Sequence, residues 1–600
     1  MSISTPTPIL SAWWGLPLGG GFSSLIFPGL FDRLFDYSTG ALTLSISADD
    51  LYTEGVIIAK PNDYLGTTYL TPRSRLSRVC FGTVRPLDGS GNNLYRPLWG
   101  SVGTSQVRLF APSYLDGVSL PRGTYHEVAN PRAISNALMS AQDDTPLSTH
   151  SVLFMAWGQF IDHDLVLSAE SHDEFWPIIV PSGDEYFDPE WTGQQIIPFA
   201  RLASAAGTGQ DGVPRASVNQ ITPFVDASMI YGSTAKHAQT LRTLDETGRL
   251  RTSSANNGEV ILPVHADLSR VAGDVRAHEN PILASLHSLF VAEHNRIAET
   301  LLDGYQNRNW AVRALVRRTL WGNEHVDSLG DAVYELSRKA VGAQVQTVTY
   351  EEFLPALLGD VGISEYTGYK PYVNPAISEE FSNAAFRLGH SMVRDTLAVK
   401  HEHGETTYAP LMSNFFDPTL LHAEGKAGIL AGAIEMPMNP VDLEITGALQ
   451  NMLFGANLDL AAINIQRGRD AGLPTYATAH EALGYGAVTE FADITGIEAT
   501  REALTQTYAR ASEVDLWVGI LAEDKLTGSH LGQVGSAIVA DQFTRVRDGD
   551  RFYYEHDPVI TTLDQVLGLS LESLRLADII EANTDLDVHD VFVAGAVEFG

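Results

Sequence analysis

The chain has 600 residues, 44% of them hydrophobic and 19% charged, a globular composition with ample core-forming material. Its 39 basic and 73 acidic residues give a net charge of −34, a field that repels nucleic acid and anionic membranes, so neither is expected as a partner. One cysteine, Cys80, leaves no room for an internal disulfide or a cysteine-based zinc site, and no Asn-x-Ser/Thr sequon occurs. These absences suit a bacterial or intracellular chain, cytoplasmic or secreted by a route that leaves no N-terminal signal.

In chain order, residues 1–80 read as a lead-in or accessory segment with weak periodicity. Their apolar start lacks a basic n-region, and prolines and glycines break any membrane helix, so no membrane span is expected. "PLDGSGNNLYRPLWG" (86–100) is dense in turn formers and reads as irregular surface backbone. From about residue 145 helical periodicity dominates: 155–170, 283–302, 331–359, 378–396, 442–454, 497–512 and 570–581 all repeat apolar residues at helical spacing. There is no solenoid repeat and no regular strand alternation. The expected fold is mainly α, with little β: a single large domain over 81–600 with long functional loops.

Several stretches carry more polarity than a core needs. In "MAWGQFIDHDLVLSAE" (155–170), Gln159, Asp162 and His163 share one helix face, while Asp164 points about 100° away. A lone buried histidine is usually a satisfied core residue, but this set is costly to bury without use and reads as one wall of a polar pocket. "ITPFVDASMIYGS" (221–233) repeats oxygen-bearing side chains at Thr222, Asp226 and Ser228, with carbonyls between. Such a loop can wrap a hard cation of the calcium type, although Asx and Ser/Thr turns explain most loops of this composition. "VAGDVRAHENP" (271–281) places Arg276 and Glu279 three apart before a long helix, which equally fits a surface ion pair with capping. In "AAFRLGHSMV" (384–393), His390 lies among small residues, with Arg387 one turn earlier and Gly389 open to close approach by a flat group. "LDLAAINIQRGRDAGLP" (458–474) flanks Asn464 with apolar residues, so it needs a buried partner, and follows it with Arg467 and Arg469.

Together with "HSLFVAEHNRIA", "VGAQVQTVTYEEFLP", "DLWVGILAED" and "ADQFTRVRDGDRF", these ordered motifs resemble the animal-type haem peroxidases of the peroxidase–cyclooxygenase superfamily, from about residue 84 to about 585. The resemblance implies a myeloperoxidase-like haem domain that reduces hydrogen peroxide and oxidises halides, thiocyanate or small aromatic donors. It implies His163 as the distal histidine, Arg276 as the distal arginine and Gln159 as the residue holding distal water or halide. It implies His390 as the iron ligand, with Asn464 offering its amide carbonyl to the ring nitrogen of His390. Asp162 and Glu279 match the carboxylates that form ester links to haem b, and Arg387 and Arg467 match positions near the proximal side and the propionates. Asp164, Thr222, Phe224 (through its carbonyl), Asp226 and Ser228 match the ligands of one calcium ion.

Two departures bear on specificity. Gly91 stands where many animal members carry a disulfide cysteine, so no disulfide-linked dimer is expected and the chain is read as a monomer. Asn280 stands where the myeloperoxidase branch carries a methionine bonded to haem, which makes bromide, iodide and thiocyanate better expectations than chloride. An ionised Asp162 is also expected to raise the pKa of neighbouring His163. The rival reading is a fatty-acid dioxygenase of the cyclooxygenase type, which needs a tyrosine three residues before the proximal histidine, where this chain has Arg387. "HEHGE" (401–405) has the wrong spacing for a metalloprotease helix and reads as a solvated turn.

Overall fold

A computed structural model describes residues 84–142, 145–263, 271–323 and 325–599, and before residue 84 only two small strand pairs, Ser24–Leu25 with Ile57–Ile58 and Phe35–Asp36 with Ala41–Leu42. Cys80 and most of the 1–80 lead-in lie outside the described residues. The chain divides into two units, one of Met1–Thr83 with Arg318–His325 and one of Val84–Arg317 with Val326–Gly600. All the candidate site residues belong to the second unit.

This second unit is mostly helical, as the periodicity implies. The elements that build its centre are α1 (Val152–Leu165), β1 (Glu170–Phe175), β2 (Ala200–Leu202), α2 (Pro281–Gln306), α3 (Leu329–Thr347), α4 (Gly389–Met392), β3 (Thr396–Lys400), β4 (Thr406–Pro410), α5 (Thr419–Glu435) and α6 (Leu460–Asp470). Every sheet among the described residues has two strands. No helix among them is long and apolar enough to cross a membrane.

Helix α1 starts where Ser151 accepts a hydrogen bond from the Phe154 amide, satisfying one of the free N–H groups of the first turn. Nearly all of it is buried: Trp157 and Phe160 pack against Phe290 of α2, with Phe160 and Phe290 stacked at 5.4 Å. Fully burying aromatic side chains of this kind contributes about 2–3 kcal/mol each. Helix α2 opens with Asn280 as N-cap and Pro281 in the first turn, then packs against α1, α3 and α5. Helix α3 begins with a reciprocal cap between Ser328 and Asp331, and runs through a π-helical turn (Val348–Phe353) into a further α-helical turn, so the helix expected over 331–359 is present.

Three expectations need correction. The helix over 378–396 is broken into Glu379–Asn383, a 3-10 turn (Ala385–Leu388) and α4, because Ala384 leaves helical geometry at φ −143°, ψ −74°. Over 442–454 only Gly447–Gln450 is α-helical. Ile445 instead donates its amide to Met139 in a bridge to a distant loop, a tertiary pairing that overrides the local period. The third is the absence of strand signals: β3 and β4 form a five-residue antiparallel hairpin. Leu397, Ala398 and Val399 are all buried, so β3 shows no alternation. Helix α5 lies so close to β3 that a Cβ at Gly432 would sit 2.1 Å from the Ala398 carbonyl oxygen. Residues 401–405 form the exposed turn of this hairpin.

Candidate active site

Three residues of α1 escape full burial, Gly158, Gln159 and Asp162, and all three line one internal cavity. The polar side chains Gln159 and Asp162 thus sit where the helix meets the cavity. The loop before α2 completes this wall. Gln159 donates to the Glu279 carboxylate at 3.1 Å and accepts from Asn280 at 2.9 Å. Asn280 caps α2 with its oxygen, so one side chain ties the start of α2 to the cavity face of α1. His163 Nε2 lies 3.9 Å from Glu279, and Arg276 Nη1 lies 3.7 Å from Asp162. Arg276 also donates to the Val166 carbonyl at 2.8 Å, just past the end of α1.

The facing wall comes from the broken helix and α6. The break at Ala384 swings Arg387, Gly389 and His390 to the cavity, and a Cβ at Gly389 would meet nothing within 4 Å. Asn464, fully buried on α6, donates its amide to His390 Nδ1 at 2.7 Å, while its oxygen accepts from Arg387 at 2.8 Å. The expected arrangement, with the Asn464 carbonyl turned to His390, is thus reversed. With Arg387 holding the oxygen, only the NH₂ group remains for the imidazole. Arg467 lines the same cavity, with its guanidinium donating to Glu170 at 2.6 Å and to the Ala200 carbonyl at 2.8 Å.

The cavity encloses about 360 Å³, within the range of cofactor sites. Burial and the nearby Arg276 charge hold His163 well below its ordinary pKa, and burial lowers His390 to about 3. Both imidazoles are neutral and able to act as base or ligand. The carboxylate that pulls His163 upward is Asp274, not Asp162, which corrects the expectation drawn from sequence adjacency. Burial lifts Asp162 to about 6 and Glu279 to about 7, against the pull of Arg276. On the other wall, burial and the like charge of Arg467 lower Arg387 to about 10. Its hydrogen-bond partners, Ser382 O, Asn464 Oδ1 and Asn383 Oδ1, are all neutral. Buried acids lifted on one side and a cation hydrogen-bonded only to neutral groups on the other mark a site shaped for a further charged group.

Asp164 leaves this wall and reaches the loop of residues 222–229. It accepts from the amides of Asp226 and Ala227, both at 2.9 Å, and from the Ser228 hydroxyl at 2.8 Å. Thr222 donates to Asp226 at 3.0 Å. The Asp164 and Asp226 carboxyls are both buried, and burial raises both; repulsion from Asp226 adds to the shift of Asp164, while Arg85 and Arg338 pull Asp226 back down. Asp164, Thr222, Asp226 and Ser228 are thus joined by hydrogen bonds into one buried polar cluster.

Sequence reasoning passed over Asp274, and it read Asn280 only as a replaced methionine, without its bond to Gln159 or its cap on α2. Asp274 is buried, and its carboxylate grips Arg276 through Nε, Nη2 and the backbone amide at 2.8–2.9 Å. The signal was an aspartate two residues before an arginine in a glycine-containing loop, where it caps the turn. For Asn280 the signal was Asn-Pro at a helix start.

The family model described as "Animal haem peroxidase" matches residues 84–592. The chain is 33% identical to the peroxidasin homolog of Mus musculus over 573 residues, covering 85% of this chain and 37% of that protein. It is 31% identical to thyroid peroxidase of Sus scrofa, over 80% of this chain and 57% of that one. The chain thus spans little more than a third of the peroxidasin. Among solved structures, Peroxidase A from Dictyostelium discoideum superposes with a TM-score of 0.74 at 29% identity, covering 86% of this chain and all of that one. A fatty acid alpha-dioxygenase of Arabidopsis thaliana shares the fold with a TM-score of 0.70 at 19% identity. The family match runs through both cavity walls and most of the chain: this chain belongs to the animal haem peroxidase family.

Proposed function

We propose that the chain, through its domain over residues 81–600, is a haem peroxidase that reduces hydrogen peroxide and oxidises iodide, bromide, thiocyanate or small aromatic donors. The observation that carries this reading is one cavity with a neutral histidine and an arginine on one wall and a second neutral histidine on the other. The residues fit haem. His390 would hold the iron, Arg387 and Arg467 would meet the propionates, and Asp162 and Glu279, acids without a paired cation in hydrogen-bond contact, would form the ester links. Haem, when bound, supplies a redox centre that takes two oxidising equivalents from peroxide.

The chain's own residues handle the proton. His163 takes it from the peroxide oxygen nearer the redox centre and returns it to the farther oxygen, which leaves as water. Arg276, fixed by Asp274 and Val166, stabilises the negative charge that grows on the departing oxygen. Gln159, held at both ends of its amide by Glu279 and Asn280, fixes the wall beside His163 where distal water or a halide would sit. Asn464 can offer its carbonyl to His390 only if Arg387 lets go of it, and a propionate would draw Arg387 away.

Calcium, held by Asp164, Thr222, Phe224, Asp226 and Ser228, would neutralise two buried carboxylates and clamp the turn that carries His163. Aromatic donors are supported by Phe415 and Phe454, which line the cavity and meet edge-to-face at 5.2 Å. Phe454 is 42% exposed and sits at φ +57°, a strained conformation of the sort stored at binding sites. In place of the phenol that the dioxygenase reading requires, Arg387 lies bonded to Asn464. The test is steady-state oxidation of iodide, bromide, thiocyanate and guaiacol by the haem-loaded chain with hydrogen peroxide. Turnover that needs His163 supports the reading, and haem binding without peroxide-dependent turnover of any donor opposes it.

A further inference from the structure

His163 has two ring nitrogens, and only one can serve as the base. Its Nε2 is turned to Glu279 and the cavity, whereas its Nδ1 is buried and has no hydrogen-bond partner among the described residues. The Asp274 carboxylate faces it, with Oδ1 3.8 Å from Nδ1. That is too long for a hydrogen bond, but at this range in a buried site the carboxylate charge bears directly on the ring nitrogen. Asp274 cannot drift to meet another partner. Oδ1 accepts from Arg276 N at 2.8 Å and from Arg276 Nε at 2.9 Å, and Oδ2 accepts from Arg276 Nη2 at 2.9 Å. Arg276 is in turn anchored to the end of α1 through Val166. Other ionisable groups also face this cluster: the Glu279 carboxyl, 3.9 Å from Nε2, is engaged by Gln159 at 3.1 Å and raised toward its neutral form by burial, Asp162 lies 3.7 Å from Arg276, and His287, fully buried with its pKa lowered to about 3, packs edge-on against Phe160 at 4.9 Å with no hydrogen-bond partner on either nitrogen among the described residues.

We propose that Asp274 is the positioning residue of this site: one carboxylate both aims the Arg276 guanidinium and draws the His163 proton to Nδ1, leaving a bare Nε2 toward the cavity. In a neutral imidazole the two tautomers are close in energy, and only the one protonated at Nδ1 can accept a proton at Nε2. A fixed negative charge beside Nδ1 selects that tautomer, as an orienting carboxylate does for any histidine base. Because the same carboxylate grips Arg276, base and charge stabiliser keep one relative geometry, set by a two-residue spacing in the loop.

The inference rests on the peroxidase reading but can be tested apart from it. Long-range ¹⁵N–¹H NMR of the ¹⁵N-histidine-labelled, haem-free full chain, with His163 assigned through H163Q, reads the tautomer directly. The expected result is His163 protonated at Nδ1 in the wild type and a mixed or Nε2-protonated ring in D274N. A wild-type ring protonated at Nε2 overturns the proposal without any variant needing to fold. The haem-loaded chain gives a second readout, cyanide association, in which HCN must hand its proton to a bare Nε2. D274N is expected to slow it at least tenfold with the haem absorption band retained, and an unchanged rate overturns the proposal. Failure to bind haem at all would instead overturn the functional reading and leave the tautomer result to decide this one alone.

Discussion

Glu279 offers a quantitative test of the cavity. In the haem-free chain its carboxyl is raised from 4.5 to about 7, chiefly by burial, so folding favours the protonated form. The sign is that of a raised acid: the stabilising protonation is complete below about pH 4.5 and is lost as pH rises through about 7. A difference of this size corresponds to about 3 kcal/mol at about 1.4 kcal/mol per tenfold step. The side chain is 22% exposed, so solvent screening reduces the figure to about 2 kcal/mol. Glu279→Gln keeps the shape and an oxygen to accept from Gln159, and removes the titration. Urea unfolding of the haem-free wild type and variant at pH 4.5, 6, 7 and 8.5 is the assay. The two should match at pH 4.5, and the variant should gain about 2 kcal/mol by pH 8.5. A constant difference across the series would refute the claim that burial outweighs the pull of Arg276 on this carboxyl.

The remaining expectations rest on single contacts. His163→Gln should lower the rate of reaction with hydrogen peroxide by about 10²- to 10⁴-fold, measured by stopped flow, with haem binding kept. Arg387→Gln should weaken haem binding about tenfold or more, measured by titration of the haem-free chain, since Arg387 lacks an anionic partner. Chelating calcium, or Asp164→Ala, should lower the melting temperature and slow the peroxide reaction, because Asp164 ties the last turn of α1, next to His163, to the 226–228 loop. Gly432→Ala should cost about 2 kcal/mol or more of stability with the haem spectrum unchanged, because the added methyl meets the Ala398 carbonyl.

How much was legible in the sequence depended on whether the signal was local. The helical period found α2 and α3 because each buries a continuous stripe and carries its own caps at Asn280 and Ser328. It failed over 442–454 because Ile445 bonds to a loop about three hundred residues away, and a buried non-alternating strand such as β3 leaves no period to read. Within the site, Gln159, Asp162 and His163 were readable as one helix face, and the structure places them on one wall. The identity of the carboxylate that governs His163 was not readable. Asp162 is adjacent in the chain but points to the cavity, whereas Asp274 arrives from a loop more than a hundred residues on. The Asn464 orientation was missed for the same reason: its oxygen goes to whichever donor is nearest in space, which in the structure is Arg387.

The most direct test of the central claim is the absorption spectrum of the purified full chain after reconstitution with haem and exposure to hydrogen peroxide, recorded before and after acid–organic extraction. We expect a Soret band in the wild type that stays with the polypeptide after extraction, and one that extracts freely when Asp162 and Glu279 are both replaced by amides. A wild-type band that extracts freely would contradict the ester assignment, and no Soret band after reconstitution would contradict the account as a whole.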